Sequence, residues 1–543
     1  MFMSFILEDL RNMAKIFNTT GLCVPEEHYM VNLENRLKEI KELIDDGKYF
    51  MMNRARQYGK TTTLTALSQY LQKDYYVVFM DFQLISHAKF EKENTFCLTF
   101  AKLFLQSLKR NELSDIENLQ IAIEVLSETV KKKEKEFELF ELFECLSDIY
   151  VQADKPMVLI IDEVDSATNN QVFLDFLAQL RAQYLRRFQQ PALKSVILAG
   201  VHDVKNLKCK IRPDEAHKIN SPWNIAADFN VEMSFSEDEI GRMLSEYEAD
   251  FHTGMDIKQM SKLLYEYTSG YPFLVSRLCQ LMDESISEKY GKEIAWTKQG
   301  FFVAVKIILE EKNVLFESLI GKLETYSELN LMIQTLLFTG KPMAYNVDNM
   351  IIDYAAMFGF VKNHKGTTMI ANRLFETRLY NLYLSTEEMK GKDIYTASLR
   401  DKNQFIVGGH LDMRRILERF VLHFHELYGN NTERFLEEEG RKYFLLYLRP
   451  IINGVGNYYI EARTRDLRRT DIIVDYHGEQ YIIEMKIWHG DEYNYRGEEQ
   501  LIGYLDDYHQ NIGYMVSFNF NKNKKIGVHE ILIGDKRLIE AVV

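Results

Sequence analysis

Proline and cysteine are scarce in this chain, with 8 prolines and 5 cysteines in 543 residues. Few prolines favour long helices, because an internal proline removes a helix hydrogen bond, and argue against extended flexible linkers. Cys23, Cys97, Cys145, Cys209 and Cys279 are scattered, with no CxxC pair and no histidine at ligand spacing. That pattern argues against a disulfide framework or a zinc site and reads as buried reduced thiols. No apolar run reaches the ~18 residues that a membrane span needs. The opening MFMSFILEDLRNMAK carries early acids and has neither a basic region nor a small-residue cleavage site, so it does not read as a signal peptide. A cytoplasmic protein without a membrane partner is the expectation.

Hydrophobic residues make up 46% of the chain and charged residues 27%, enough to bury proper cores. At about 150 residues per domain, the length suggests three or four units. The net charge of −14 argues against coating nucleic acid by bulk charge and leaves room for a local basic site.

The stretch YFMMNRARQYGKTTTLTALSQYL orders a strand-like run, Tyr49 to Met52, a polar loop, Gly59-Lys60-Thr61 and a helix with Leu64, Leu67 and Leu71 on one face. Helix N-terminal amides can face phosphates, a lysine can neutralise their oxygens, and a hydroxyl can reach magnesium. Arg56, Gly59, Lys60, Thr61 and Thr62 are the candidate nucleotide-binding residues here. Arg54 stands where G-x-x-x-x-G-K-[ST] has its first glycine, so the turn must close without it. A chance Gly-Lys-Thr at a helix start is the competing reading.

KPMVLIIDEVDSA then supplies an apolar run, Met157 to Ile161, ending in Asp162-Glu163. Such a run reads as a strand buried on both faces of a parallel sheet, and carboxylates at its C-terminal end lie where such sheets bind ligands. Asp162 could hold Mg2+ and Glu163 could polarise the attacking water. YYVVFMDF (75–82) and SVILAGV (195–201) read as further buried strands, giving an ATP-binding α/β domain with a P-loop NTPase parallel sheet. No feature selects an ATP-site arginine among Arg181, Arg186 and Arg187.

From about 235 the pattern turns helical, with FSEDEIGRMLSEY opening on a serine cap, and YTSGYPFLVSRLCQLM sets Gly270 and Pro272 around a helix start. Gly-x-Pro before a lid helix resembles the nucleotide-sensing motif of STAND-type and related AAA-like ATPases, and SPWNIAADF (221–229) resembles the segment leading into that lid. Residues 326–385 read helix, turn, helix and hairpin, which resembles a winged helix used as a connector. Residues 386–408 lack a strong hydrophobic period and read as a linker.

The last 135 residues or so read α-β-β-β-α-β: a helix ending at Pro450, strands in NYYIEART, TDIIVDY and YIIEMKIW, a helix in GEEQLIGYLDDYHQ and a strand in GYMVSFNF. Period-two alternation puts Ile482, Glu484, Lys486 and Trp488 on one face. Charges at i and i+2 on an apolar strand are costly unless they face a ligand or each other. A structural ion pair is one reading. It leaves out Asp471, which begins the neighbouring strand, and two close carboxylates repel unless a cation lies between them. Divalent Mg2+ or Mn2+ would relieve that repulsion, with Asp471 and Glu484 as ligands and Lys486 orienting or deprotonating a bound water.

Asp471 followed by Glu484-Met485-Lys486 resembles the PD-(D/E)xK nuclease superfamily, and Gln500 and Tyr504 in QLIGY look like the Q-x-x-x-Y element of its RecB-like members. The resemblance implies a carboxylate from the first helix, among Glu437, Glu438 and Glu439 with Glu439 favoured, and Glu461 as a further ligand. Arg463, Arg465, Arg468 and Arg469 beside these carboxylates fit phosphate contact.

Nearly the whole chain thus resembles one bacterial family, an AAA-like ATPase fused to a nuclease-like domain. The expected domains are 1–234 for the N-terminal helix and ATPase core, 235–325 for the lid, 326–385 for the winged-helix-like connector, 386–408 for the linker and 409–543 for the nuclease-like domain. The implied activity is ATP-regulated cleavage of nucleic acid, DNA favoured over RNA, with homo-oligomer formation left open. The alternative is a regulatory ATPase switch whose last domain binds nucleic acid or a partner without cleaving.

Overall fold

The four apolar runs expected to be strands of a parallel sheet are β1 (Phe50–Asn53), β2 (Tyr76–Asp81), β3 (Met157–Asp162) and β4 (Ser195–Gly200). They pair in the order β1-β4-β3-β2, every pair parallel. The computed structural model in which they are seen describes residues 15–113, 116–132, 135–168, 170–201, 223–338, 343–386, 392–428, 437–452, 456–460, 472–487, 498–499, 501–503, 505–506, 510–519 and 525–543.

The chain divides into two compact units. One comprises Met1–Phe235 with Tyr271–Phe273 and Met357–Gly359; the other comprises Ser236–Gly270, Leu274–Ala356 and Phe360–Val543.

Both faces of the first unit's sheet are covered, which is why its strands are continuously apolar rather than alternating. Val78, Leu159, Ile161, Val196 and Leu198 face a core completed by the helices Glu93–Arg110, Leu139–Gln152 and Gln171–Arg186. Val77, Val158, Ile160, Ile197 and Ala199 face the helices Glu34–Asp45 and Lys60–Leu71. Beyond β1 the place of a further strand is taken by a single bridge, Phe50 to Ala227, with the Ala227 amide donating to the Tyr49 carbonyl at 2.8 Å. Parallel order with β4 inserted between β1 and β3 brings the ends of β1 and β3 to one edge, where Gly59 to Thr61 and Asp162 meet.

The second unit begins with the expected serine cap. Ser236 accepts the Glu239 amide at 3.2 Å while the Glu239 carboxylate accepts the Ser236 amide at 2.7 Å, and this reciprocal box starts the helix Glu237–Phe251. The helix Ile257–Thr268 packs on it. Between 326 and 385 stand the helices Ser327–Phe338, Met350–Met357 and Arg373–Leu384 with β5 (Met343–Ala344), β6 (Val361–His364) and β7 (Thr367–Ile370) in the order β5-β7-β6. Lys365 and Gly366 turn β6 into β7, both at positive φ, as a two-residue hairpin requires.

The stretch read as a linker is not structureless. Residues 393–401 form the helix Asp393–Asp401, followed by the ribbon β8 (Ile406–Val407) and β9 (His410–Leu411). Ile394 and Phe405 are fully buried, and the Ser398 hydroxyl donates to the Tyr447 carbonyl. Asp401 is buried too, accepting from Arg419 at 2.8 Å and meeting His423 Nε2 at 2.9 Å. This helix buries Ser398 and Asp401 through hydrogen bonds, so no hydrophobic period betrays it. The helix expected to end at Pro450 runs Glu437–Ile452. In the last turn the missing proline N–H forfeits one bond without ending the helix.

The C-terminal strands are β10 (Gly456–Ile460), β11 (Ile472–Tyr476), β12 (Glu479–Ile487), β13 (Ile512–Phe518), β14 (Gly527–Ile533) and β15 (Lys536–Val542), in the order β10-β11-β12-β13-β15-β14. The β14–β15 hairpin was not anticipated from sequence. It adds β15 parallel to β13 and leaves β14 at the edge, antiparallel to β15. Ile482, Met515 and Leu538 on one face pack against Leu501 and Leu505.

A core truncation and a surface truncation should separate these roles. Leu159→Ala, in the fully covered β3, is expected to cost about 2–5 kcal/mol. Ile121→Ala, at a position 73% exposed, should stay within about 0.5 kcal/mol. Thermal unfolding of both variants checks this, and similar melting losses would contradict the layering.

Candidate functional site

The loop from Arg54 to Gly59 joins β1 to the helix Lys60–Leu71. Its tight turn is made by Gln57 and Gly59, at φ 55° and 79°. Arg54, which replaces the first glycine of the motif, is not among the positive-φ residues, so its side chain costs the turn nothing. The Arg54 guanidinium instead donates to the carbonyls of Val231 at 2.9 Å and Phe229 at 3.3 Å and lies 5.1 Å from the Phe229 ring centre. The missing glycine is thus replaced by an anchor to the segment beside β1.

Lys60 is buried, and its Nζ donates to the carbonyls of Arg54 at 3.0 Å and Ala55 at 3.1 Å. Burial lowers its pKa from the ordinary lysine value, opposed by Glu163, Asp165 and Asp162. The Thr61 hydroxyl donates to Asp162 Oδ2 at 2.7 Å, and the Glu163 amide donates to Asp162 Oδ1 at 2.9 Å. Burial raises the Asp162 pKa against those two bonds and the Lys60 charge. Glu163 has φ 54°, a left-handed backbone that costs a non-glycine residue of order 1–3 kcal/mol. Burial raises its pKa as well, Lys60 opposes, and Asp162, Asp165 and Asp81 add to the rise. Lys60, Thr61, Asp162 and Glu163 are therefore brought together from two strand ends. Buried ionisable groups with shifted pKa values and named charge partners make this edge a candidate site.

The other expected residues have different contacts. The Thr62 hydroxyl accepts the Cys23 amide at 3.3 Å. The Arg56 carbonyl accepts the Tyr271 hydroxyl, and the Tyr271 ring stands edge-on to Tyr58 at 4.6 Å. Pro272 opens the helix Pro272–Leu281, and Gly270 has φ 71°. Arg187 is engaged locally, its guanidinium 3.8 Å from the Tyr184 ring centre.

Two acids at this edge were not anticipated. Asp81 pairs in register with Asp162, and VVFMD ends β2 as VLIID ends β3, a parallel visible in the sequence. Asp165 accepts the Val201 amide at 2.7 Å and would lie 3.1 Å from a Cβ on Gly200, which explains a glycine at the end of β4.

In the C-terminal sheet, Glu484 and Lys486 share a face of β12, with Nζ 3.7 Å from Oε1 and exposures of 3% and 8%. Pairing carries this face across β13 to β15, where Glu484, Met515 and Glu540 lie in one row. The Ser517 hydroxyl donates to Glu540 at 2.6 Å, and Glu540 is a buried acid that sequence reasoning missed because β15 itself was missed. Asp471, Glu461, Gln500, Tyr504 and the four arginines between 463 and 469 lie outside the described residues. Glu439 belongs to the helix Glu437–Ile452, with its side chain outside the description. Among the described residues, no group of three or more His, Cys, Asp or Glu is arranged to hold a metal. No described helix is long and apolar enough to cross a membrane.

Among solved structures, the Walker-type ATPase of Pyrococcus abyssi is 14% identical at TM-score 0.47, covering 67% of this chain and 99% of its own. The ORC2 protein of Aeropyrum pernix, solved with ADPNP and ADP, is 11% identical at TM-score 0.36, covering 68% and 98%. The ORC1 protein of the same organism, solved with DNA, is 12% identical at TM-score 0.29, covering 65% and 93%. No curated protein matches the chain. The family described as AAA-like domain matches residues 24–385, more than half of the chain, which therefore belongs to the AAA-like ATPase family.

Proposed function

We propose that this AAA-like ATPase regulates a metal-dependent nuclease carried by its C-terminal sheet. The observation that supports it most directly is the burial of Glu484 and Lys486 side by side on β12, 3.7 Å apart. A carboxylate and an ammonium at i and i+2 in a strand interior cost several kcal/mol each to desolvate. A catalytic pair gives that cost a purpose. Ile472 pairs with Ile483, and Asp471 and Glu484 are the residues that adjoin this pair in sequence. Asp471 and Glu484 are the proposed ligands of Mg2+ or Mn2+, whose bound form would polarise a phosphodiester and lower the pKa of a water. Lys486 would hold or accept a proton beside them. Glu439, Gln500 and Tyr504 are proposed to complete the substrate side, which we take to be DNA rather than RNA.

At the ATPase site, Lys60 is the proposed phosphate ligand, with Arg56, Gly59 and Thr62 around the loop and Gly270 and Pro272 as the nucleotide-sensing turn. The hard oxygens of Thr61 and Asp162 suit Mg2+, which would neutralise phosphate charge. Glu163 orients water as general base.

A second reading, a switch that binds without cleaving, draws on the same Glu484–Lys486 contact taken as a structural ion pair. Metal titration separates the two: calorimetry with Mn2+ should reveal a site that Glu484→Gln removes, whereas a structural pair gives no metal binding in either protein.

Lys60→Ala should reduce ATP affinity by at least about tenfold, a loss of 1.4 kcal/mol, while far-ultraviolet circular dichroism stays unchanged; unaltered affinity would reject the loop assignment. Glu163→Gln should keep ATP binding and lower hydrolysis by about 10²–10⁴-fold. Because the base must be ionised and its pKa is raised, wild-type hydrolysis should fall on acidification at a higher pH than an ordinary glutamate would give, and the pH–rate profile checks this. Purified protein with Mg2+ or Mn2+ should cleave plasmid or single-stranded DNA, and Glu484→Gln should abolish cleavage. Absence of cleavage of plasmid, single-stranded DNA and RNA, with and without ATP, would favour the switch.

A further inference from the structure

A chain of contacts crosses the nucleotide edge of the first unit's sheet in the order of its strands, β1-β4-β3-β2. Just after β1, the Arg54 amide donates to the carbonyl of Gly200, the last residue of β4, at 3.2 Å. The next amide, that of Val201, donates to Asp165 Oδ2 beyond the end of β3 at 2.7 Å. Beside Asp165, the Ser166 hydroxyl donates to the Glu163 carbonyl at 3.2 Å and to the Phe82 carbonyl, just after β2, at 3.3 Å. Four strand ends are thus tied through Gly200, Val201, Asp165 and Ser166.

Asp165 is the side chain on which this tie depends. A Cβ on Gly200 would lie 3.1 Å from Asp165 Oδ1 and 3.1 Å from Val164 Cγ2. Gly200 is not among the positive-φ residues, so its backbone does not call for glycine; the close approach of Asp165 and Val164 does. A carboxylate accepting a backbone amide makes a charge-assisted bond, roughly twice as strong as a neutral one.

The tie holds the turn that carries Glu163. Glu163 is left-handed, and the turn behind it, Val164–Ser166, is only three residues long. The Ala167 amide closes that turn on the Val164 carbonyl at 2.9 Å, and the Thr168 hydroxyl donates to the Asp165 carbonyl at 2.9 Å. These local bonds fix the shape of the turn. The bonds from Val201 to Asp165 and from Ser166 to Phe82 fix its place against β4 and β2, which a strained residue requires of its surroundings.

We propose that Asp165 is a positioning residue for ATP hydrolysis. Bonded to Val201 and seated against Gly200, it holds the turn bearing Glu163 in a set place relative to the phosphate loop, whose Arg54 amide is bonded to the same Gly200. The inference rests on Glu163 as the general base and specifies what aims it. Losing the tie displaces the base and slows the chemical step, while Lys60 still holds the loop.

Steady-state ATP hydrolysis by the full chain tests it, with the affinity of the non-hydrolysable analogue AMPPNP measured in parallel. Asp165→Ala should lower kcat by about 10²-fold, the effect of a misplacement near 1 Å, with KM and AMPPNP affinity close to wild type. Asp165→Asn keeps an acceptor for the Val201 amide and should recover most of that loss. Gly200→Ala disturbs the contact from its other side and should lower kcat in the same manner, which keeps the test valid if Asp165→Ala is unstable. Unchanged kcat in Asp165→Ala and Gly200→Ala would overturn the proposal, as would Asp165→Asn being as slow as Asp165→Ala, or AMPPNP affinity falling as far as kcat. A wild type that binds AMPPNP without hydrolysing ATP would also overturn it. Glu163→Gln measured alongside separates the two readings: if it still hydrolyses ATP, the base assignment falls and the inference with it. If it is inactive while Asp165→Ala is not, the positioning role alone is rejected.

Discussion

The hydrogen bond from Thr61 to Asp162, 2.7 Å long, joins two segments a hundred residues apart, and the candidate nucleotide site depends on it. Asp162 is 2% exposed. A carboxylate that deep remains useful only when its oxygens are occupied, and the Thr61 hydroxyl and the Glu163 amide do so. The parallel sheet makes this geometry cheap: with β4 between β1 and β3, the two strand ends open toward one edge while helices cover both faces. Lys60 holds the loop carbonyls in the same small space and lends its charge to Asp162 and Glu163.

Two strained backbone positions lie at this edge. Gln57 and Glu163 take left-handed conformations that favour glycine, and Gly59 takes the third. Such residues persist when surrounding structure over-determines them. Here that structure is the buried sheet together with the Arg54 anchor on Phe229 and Val231. The phosphate loop is therefore held by its flanks more than by its own composition.

In the second unit, charged side chains are again buried in a sheet. Glu484, Lys486, Glu540 and Asp475 all lie buried in the C-terminal sheet, Lys486 paired with Ser517 and Asp475 with Gln480. Asp401, clamped by Arg419 and His423, is a contrasting case, a polar contact joining the helix Asp393–Asp401 to the helix beginning at Met413.

The strands of the first unit were legible because a strand covered on both faces must be apolar throughout, and few other arrangements demand that of four short runs. The serine cap at 236 was legible for a similar reason, since a helix start needs an acceptor for its free amides. Residues 393–401 were not, because Ser398 is buried donating a hydrogen bond and Asp401 accepting them, and polar residues look alike whether buried or solvated. The β14–β15 hairpin was equally silent, with an edge strand half exposed and only weakly patterned. By itself the sequence determined the apolar strands, the Gly59-Lys60-Thr61 helix start and the acids at the ends of strands, all properties of consecutive residues. Only the tertiary structure decided that Arg54 anchors to Phe229 and Val231, that Asp81 and Asp165 join Asp162, and that Tyr267 meets Asp475. Those are contacts between distant segments, set by strand order and helix packing, and no local pattern encodes them.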